Sequence, residues 1–238
     1  MNRFHTNKVA WRDLWAFLIY FLASNIIPIF IFWVLELKPN QISSPLFLTG
    51  VGILSSLLVI LYLAWSHRHQ LRNQMKNHFV HLKHSIKLIL VAYIVYMIAN
   101  IITNILMGFL PQKWQYTDTG NQEALKVLFE DPKILPLVFI SIAILTPITE
   151  ELLFRHIVIG ELGKKFGFIT MGLISIVFFA AMHLFAAVSP FEAIPYLLMA
   201  TMFVVVYIKS GGNILASIAS HMLVNSLAFF AIVAQMYS

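Results

Sequence analysis

Long apolar runs separated by short polar connections set the pattern of this chain. They occupy Leu14–Leu35, Pro45–Trp65, Leu88–Leu110, Ile134–Leu162, Phe168–Val188, Phe191–Ile208 and Ile214–Ala234. A bilayer core about 30 Å thick is crossed by about 20 apolar residues in a helix. Backbone groups in lipid must find partners internally, which favours helices over strands here. The pattern therefore predicts an all-α fold, a polytopic transmembrane helical bundle with about seven spans. The count becomes eight if Ile134–Leu162 breaks at Pro147. The first run exceeds the roughly 7–15 apolar residues of a signal peptide, and no small-x-small site follows it, so it is expected to be a retained span.

Composition agrees with that pattern. Hydrophobic residues make up 60% of the 238 positions and charged ones 11%, with a mean hydropathy of +0.83. Soluble domains carry about 25% charged residues. The expected organisation is one integral membrane domain. Residues 1–133 would form an N-terminal scaffold of three spans with a basic connection, and 134–238 a core that carries the chemistry. Cysteine is absent, which removes disulfides, thiolate nucleophiles and cysteine-based metal sites.

Charge adds orientation. The net charge of +6 points to the lysine and arginine bias of cytoplasmic loops rather than to nucleic acid. Arg3, Lys8 and Arg12, and then Arg68, Arg72, Lys76, Lys83 and Lys87, are expected on the cytoplasmic side. Loop Pro111–Lys133, with Asp118, Glu123, Glu130 and Asp131, is expected outside. The connection after the second run also holds His67, His69, His78, His81 and His84. No i, i+4 pair among them comes with an acidic partner, so a basic loop against anionic headgroups is expected rather than a metal cluster. The bilayer is the first partner these features imply, in a multi-pass cell-membrane protein with a cytoplasmic N-terminus. Nucleic acid is not expected to be a partner.

Ionisable residues inside spans are costly and mark function by default. Here they concentrate in "ILTPITEELLFRHIVIGEL", which carries Glu150, Glu151 and Arg155, in "FFAAMH" with His183, and in "SHMLVN" with His221 and Asn225. Glu151 and Arg155 stand i, i+4 and are expected to pair. Glu150 is rotated about 100° away and escapes that pairing. His221 and Asn225, also i, i+4, share one helix face. In one long helix ending at Lys164-Lys165, Glu150 would lie roughly 18 Å deep; His183 and Asn225 come out at roughly 22 and 17 Å, and His221 at roughly 11 Å.

A carboxylate and imidazoles converging in a low-dielectric, partly wetted cavity can hold and deprotonate a water. An imidazole or carboxamide nearby can donate to a tetrahedral oxyanion. The same groups (Glu150, His183, His221) can instead ligate zinc through oxygen and nitrogen and leave a water position open. Either route is water attack on an amide. No Gly-x-Ser-x-Gly or His-Glu-x-x-His motif is present. Each polar residue also has a plainer role: His183 and Asn225 as interhelical hydrogen bonds, and Glu151–Arg155 as a structural pair.

In these residues the chain resembles the CPBP family (CAAX protease and bacteriocin-processing, also called Abi), related to type II CAAX prenyl endopeptidases. "EELLFR" at Glu150–Arg155 matches Glu-Glu-x-x-x-Arg, "FAAMH" at Phe179–His183 matches Phe-x-x-x-His, and "HMLVN" at His221–Asn225 matches His-x-x-x-Asn/Asp. Met1–Lys133 matches only as generic membrane scaffold. The resemblance implies an intramembrane endopeptidase, of glutamate or metallo type. Glu150 would activate water, and His183 would help hold that water or a metal. His221 and Asn225 would stabilise the oxyanion or complete the polar shell, with Glu151 and Arg155 supporting the site. No cofactor is required by the resemblance, although zinc is compatible with it. The implied substrate is a hydrophobic or lipidated peptide of the CAAX, bacteriocin-leader or peptide-pheromone class, in a bacterial plasma membrane. Two other readings use the same residues: a non-catalytic peptide-binding protein for bacteriocin immunity, and a proton-coupled transporter.

Overall fold

The structure, a computed structural model, describes residues 8–237; Arg3 lies outside them. Every regular element among the described residues is helical. The main helices are α1 (Trp11–Val34), α2 (Pro45–Ser66), α3 (Arg68–Met107) and the short α4 (Gly120–Lys126). They continue with α5 (Pro132–Phe166), α6 (Phe168–Met182), α7 (Ala193–Lys209) and α8 (Ile214–Tyr237). Six helices are long and apolar enough to cross a membrane, and α6 is a shorter apolar one. Against the expected seven or eight spans, six helices among the described residues have the length to cross, and the run from Phe168 forms a helix of 15 residues.

Two boundaries differ from expectation. The polar, basic connection after α2 is not a loop: α3 begins at Arg68 and runs for 40 residues. Arginine, lysine and glutamine are good helix formers, so the helix continues where hydropathy falls away. Conversely, α6 stops at Met182 instead of extending to Val188. Apolarity allows a helix, but the Ser189-Pro190 turn and its capping box start the next one.

The long helix through Glu150 is not broken at Pro147. Its segment Ile140–Leu145 widens to π geometry. Proline has no N–H to give, so the carbonyls that residue 147 would serve, Ala143 in an α register and Ile142 in a π register, lose their partner. A wider turn accommodates this without ending the helix. The same association recurs in α1, where the π segment Leu22–Ile26 precedes Pro28. The run Leu152–Leu162 is also π-helical.

The helices fall into two compact units. In the first (residues 10–75, 126–153 and 221–237), α1 packs on α2, and α2 packs along 140–151 of α5. At Gly52 the Ser141 side chain comes so close that a Cβ would sit 2.9 Å from its Oγ. Phe129, Ile134, Val138 and Phe229 form its buried cluster. In the second (residues 8–9, 76–125 and 154–220), α6 packs on α7, around Ile159, Val204 and Tyr207. There Asn213 accepts from Leu215 N at 3.1 Å at the start of α8, and donates to His78 O of α3 at 3.0 Å. Many large apolar side chains point outward, Trp33 and Phe109 at 73% and 82% exposure among them. That surface is stable against lipid, not water.

Candidate active site

The first unit carries a carboxylate–imidazole–carboxylate group. His221, on α8, is buried at 2% exposure, and Glu151 of α5 is fully buried. His221 Nδ1 lies 2.9 Å from Glu151 Oε1. Its Nε2 lies 3.7 Å from Glu150 Oε2, and the Glu150 side chain retains 14% exposure. A fixed Glu151–His221 contact sets the imidazole's orientation, because the Nδ1 interaction decides which way Nε2 points. The distance from Nε2 to Glu150 exceeds a direct hydrogen bond, so these two groups face one another across a short gap.

Asn225 lies one turn further along α8. Its Nδ2 donates to Ile142 O at 3.0 Å, the carbonyl that Pro147 leaves without a helical donor. The proline and the asparagine are thus one device: a gap in the α5 ladder is closed from α8. His221 and Asn225 do share a face, as their spacing predicts, and that face meets α5.

The second unit holds the other motif residues. Arg155 is fully buried; its guanidinium lies over the Phe179 ring at 4.9 Å and the Phe203 ring at 5.3 Å, and Nη2 donates to Ala200 O at 3.3 Å. His183, immediately after α6, stacks on Phe179 at 4.6 Å and on Tyr196 at 4.8 Å. Its Nδ1 donates to Phe179 O at 2.8 Å. Phe179, the aromatic residue of the Phe-x-x-x-His motif, thereby carries Arg155 on its ring and His183 on its ring and carbonyl.

Some polar groups were invisible to spacing arguments. His67 does have an acidic partner, far away in the chain: its Nε2 lies 2.8 Å and 3.0 Å from the two carboxylate oxygens of fully buried Asp13. Glu192, also fully buried, accepts from the backbone N–H groups of Gly120, Val188 and Ser189 at 2.6, 2.8 and 2.9 Å. The Ser189–Glu192 spacing is a capping-box signal, the one local clue to that carboxylate's role.

Residues 132–227 match the family model described as type II CAAX prenyl endopeptidase Rce1-like. The match supports a place for this segment in the CAAX protease family. All six motif residues, Glu150, Glu151, Arg155, His183, His221 and Asn225, fall inside the Rce1-like segment, while residues 8–131 lie outside it. The family is one of proteases, which supports a protease, and the apolar helices fit a membrane protein. No curated protein and no solved structure matches the chain.

Zinc in a catalytic site takes three protein ligands and an open position. In the Rce1-like segment, Glu150 oxygen and His221 Nε2 face each other as two donors, and Glu151 on Nδ1 has the placement of an orienting partner. Among the described residues no third histidine or carboxylate completes a close ligand set around that pair. This pair supplies two of the three protein donors that a catalytic zinc takes.

Proposed function

We propose that this protein is an intramembrane endopeptidase in which Glu150 activates the attacking water and His221, oriented by Glu151, works with it. The observation that supports this most is His221 held between two glutamates, 2.9 Å from Glu151 and 3.7 Å from Glu150. A water bridging the Glu150–His221 gap would give its proton to the Glu150 carboxylate while its oxygen attacks the scissile carbonyl. The proton then passes to the departing amine, so that amide and water become acid and amine. Glu151, accepting the Nδ1 hydrogen of His221, would hold the ring with Nε2 toward that water, the orienting role of the carboxylate in carboxylate–histidine catalysis. His183 enters through the Phe-x-x-x-His motif, as a second imidazole for the water or the oxyanion. Asn225 supports the α5 backbone beside these groups.

The substrate class we propose is a peptide that already lies in the membrane: a lipidated CAAX-like C-terminus, or a hydrophobic leader of the bacteriocin or pheromone class. The family's description favours the lipidated form. The basic residues of α3 favour a cytoplasmic placement of its first turns, in a bacterial plasma membrane.

Comparative peptidomics of membranes carrying wild-type or Glu150→Gln protein tests the reading and names the substrate. Peptides that accumulate uncut only with Glu150→Gln are expected. Equal processing by both proteins would sink the proposal.

A further inference from the structure

The second unit contains a linked series of contacts that ends on His183. Its imidazole carries the Nδ1 hydrogen, because Phe179 O, at 2.8 Å, can only accept. In the neutral ring Nε2 is then an acceptor, and its direction depends on how firmly the ring plane is held. Two rings stack on it: Phe179 at 4.6 Å and 28°, and Tyr196 at 4.8 Å and 26°. Phe179 belongs to the same helix turn, so its place follows from α6. Tyr196 comes from α7 and needs its own anchor.

That anchor is the segment leading into α4. Tyr196 is 6% exposed, and its hydroxyl lies 2.6 Å from Thr119 Oγ1. Thr119 is fixed in turn: its N–H donates to Gln122 Oε1 at 2.9 Å, and Gln122 N–H returns to Thr119 Oγ1 at 3.2 Å. Next to it, Gly120 N–H donates to buried Glu192, and Ser189 Oγ donates to Trp114 O at 2.7 Å. Gly120 itself has no room for a side chain: a Cβ there would lie 1.9 Å from Ala186 O. This strap is therefore pinned against the 186–192 turn at several points. Tyr196 carries that attachment to the ring face of His183.

We propose that Tyr196 is a positioning residue for His183: its ring holds the imidazole plane against Phe179, and Thr119 of the strap holds Tyr196. The inference rests on the reading of His183 as a site residue. Tyr196 acts through His183 and touches no substrate.

The test uses the full chain in detergent, with histidine side chains labelled with 15N and His183 assigned through His183→Gln. Tyr196→Leu is expected to change the 15N shifts and titration midpoint of His183. Thr119→Val should move them in the same direction by less, and Thr119→Ser should restore them. In parallel, a farnesylated CAAX peptide serves as the cleavage probe. Tyr196→Leu is expected to lower kcat about three- to tenfold, the scale of one aromatic pair, with KM unchanged. Wild-type His183 shifts in Tyr196→Leu, or a change in KM alone, would overturn the inference. Glu150→Gln runs alongside: normal cleavage by that variant removes the protease reading, while the spectra still decide the placement of His183.

Discussion

His221 turns its Nδ1 to Glu151 at 2.9 Å and its Nε2 toward Glu150 at 3.7 Å. One imidazole from α8 thus separates two adjacent carboxylates of α5 into different environments. Glu151 is fully buried on the imidazole, whereas Glu150 keeps part of its surface open. A charged pair in a low-dielectric setting survives only with good geometry and further polar partners. The close Glu151–His221 contact meets that condition, while Glu150 stays partly exposed 3.7 Å from the other ring nitrogen.

Glu151→Gln tests that division. The amide can still accept from His221 Nδ1–H, but as a neutral and weaker acceptor it holds the ring less firmly. We expect kcat to fall about 10- to 100-fold with KM unchanged, below the full effect of general acid–base loss. Steady-state cleavage of a membrane peptide in detergent measures it. Wild-type kcat in Glu151→Gln would remove His221 from the mechanism.

Asn225 and Pro147 should be energetically coupled. Asn225→Leu strands the Ile142 carbonyl and is expected to destabilise by about 1–2 kcal/mol. Pro147→Ala supplies the missing N–H, so the same Asn225→Leu change should cost less in that background. A double-mutant cycle read from thermal or denaturant unfolding gives the coupling directly. Additive effects would show that the two residues act separately.

Glu192 offers a sharper contrast, because its two oxygens do different things. Oε1 accepts from Val188 N and Ser189 N, and Oε2 from Gly120 N. In Glu192→Gln one of those positions becomes an NH2 group facing a backbone N–H. A loss of about 2 kcal/mol is expected, with proteolysis of the strap around Gly120 faster than in the wild type. Glu192→Gln that unfolds and is cleaved like the wild type would contradict it.

The absence of cysteine makes topology directly measurable. Single substitutions Lys76→Cys on α3 and Asp118→Cys in the loop before α4 can be labelled with a membrane-impermeant maleimide in intact cells. Asp118→Cys should react and Lys76→Cys should react only after the membrane is opened. The reverse result would invert the proposed orientation.

Hydropathy located the helices well where lipid dictates them. The runs assigned to α1, α2, α5, α7 and α8 agree with the structure to within a few residues, because an apolar stretch of that length has one stable solution in a bilayer. It failed where another force sets the boundary. The first 20 residues of α3 are polar and helical, and hydropathy has no signal for them. The end of α6 comes at Met182, before apolarity is lost, and the next helical segment begins at the Ser189–Glu192 capping box. In the candidate site, the shared face of His221 and Asn225 followed from helical spacing.

The partners did not follow. Sequence alone determined that this chain is helical, lies in a membrane, and spends its few intramembrane charges on three ordered motifs. Only the tertiary structure decided that Glu151 meets His221, that Asn225 closes the gap left by Pro147, that Asp13 meets His67, and that Tyr196 stacks on His183. Helix periodicity fixes directions on one helix, over three or four residues. These contacts join residues 54 to 83 positions apart in three of the four cases, and they exist only because packing brings different helices face to face.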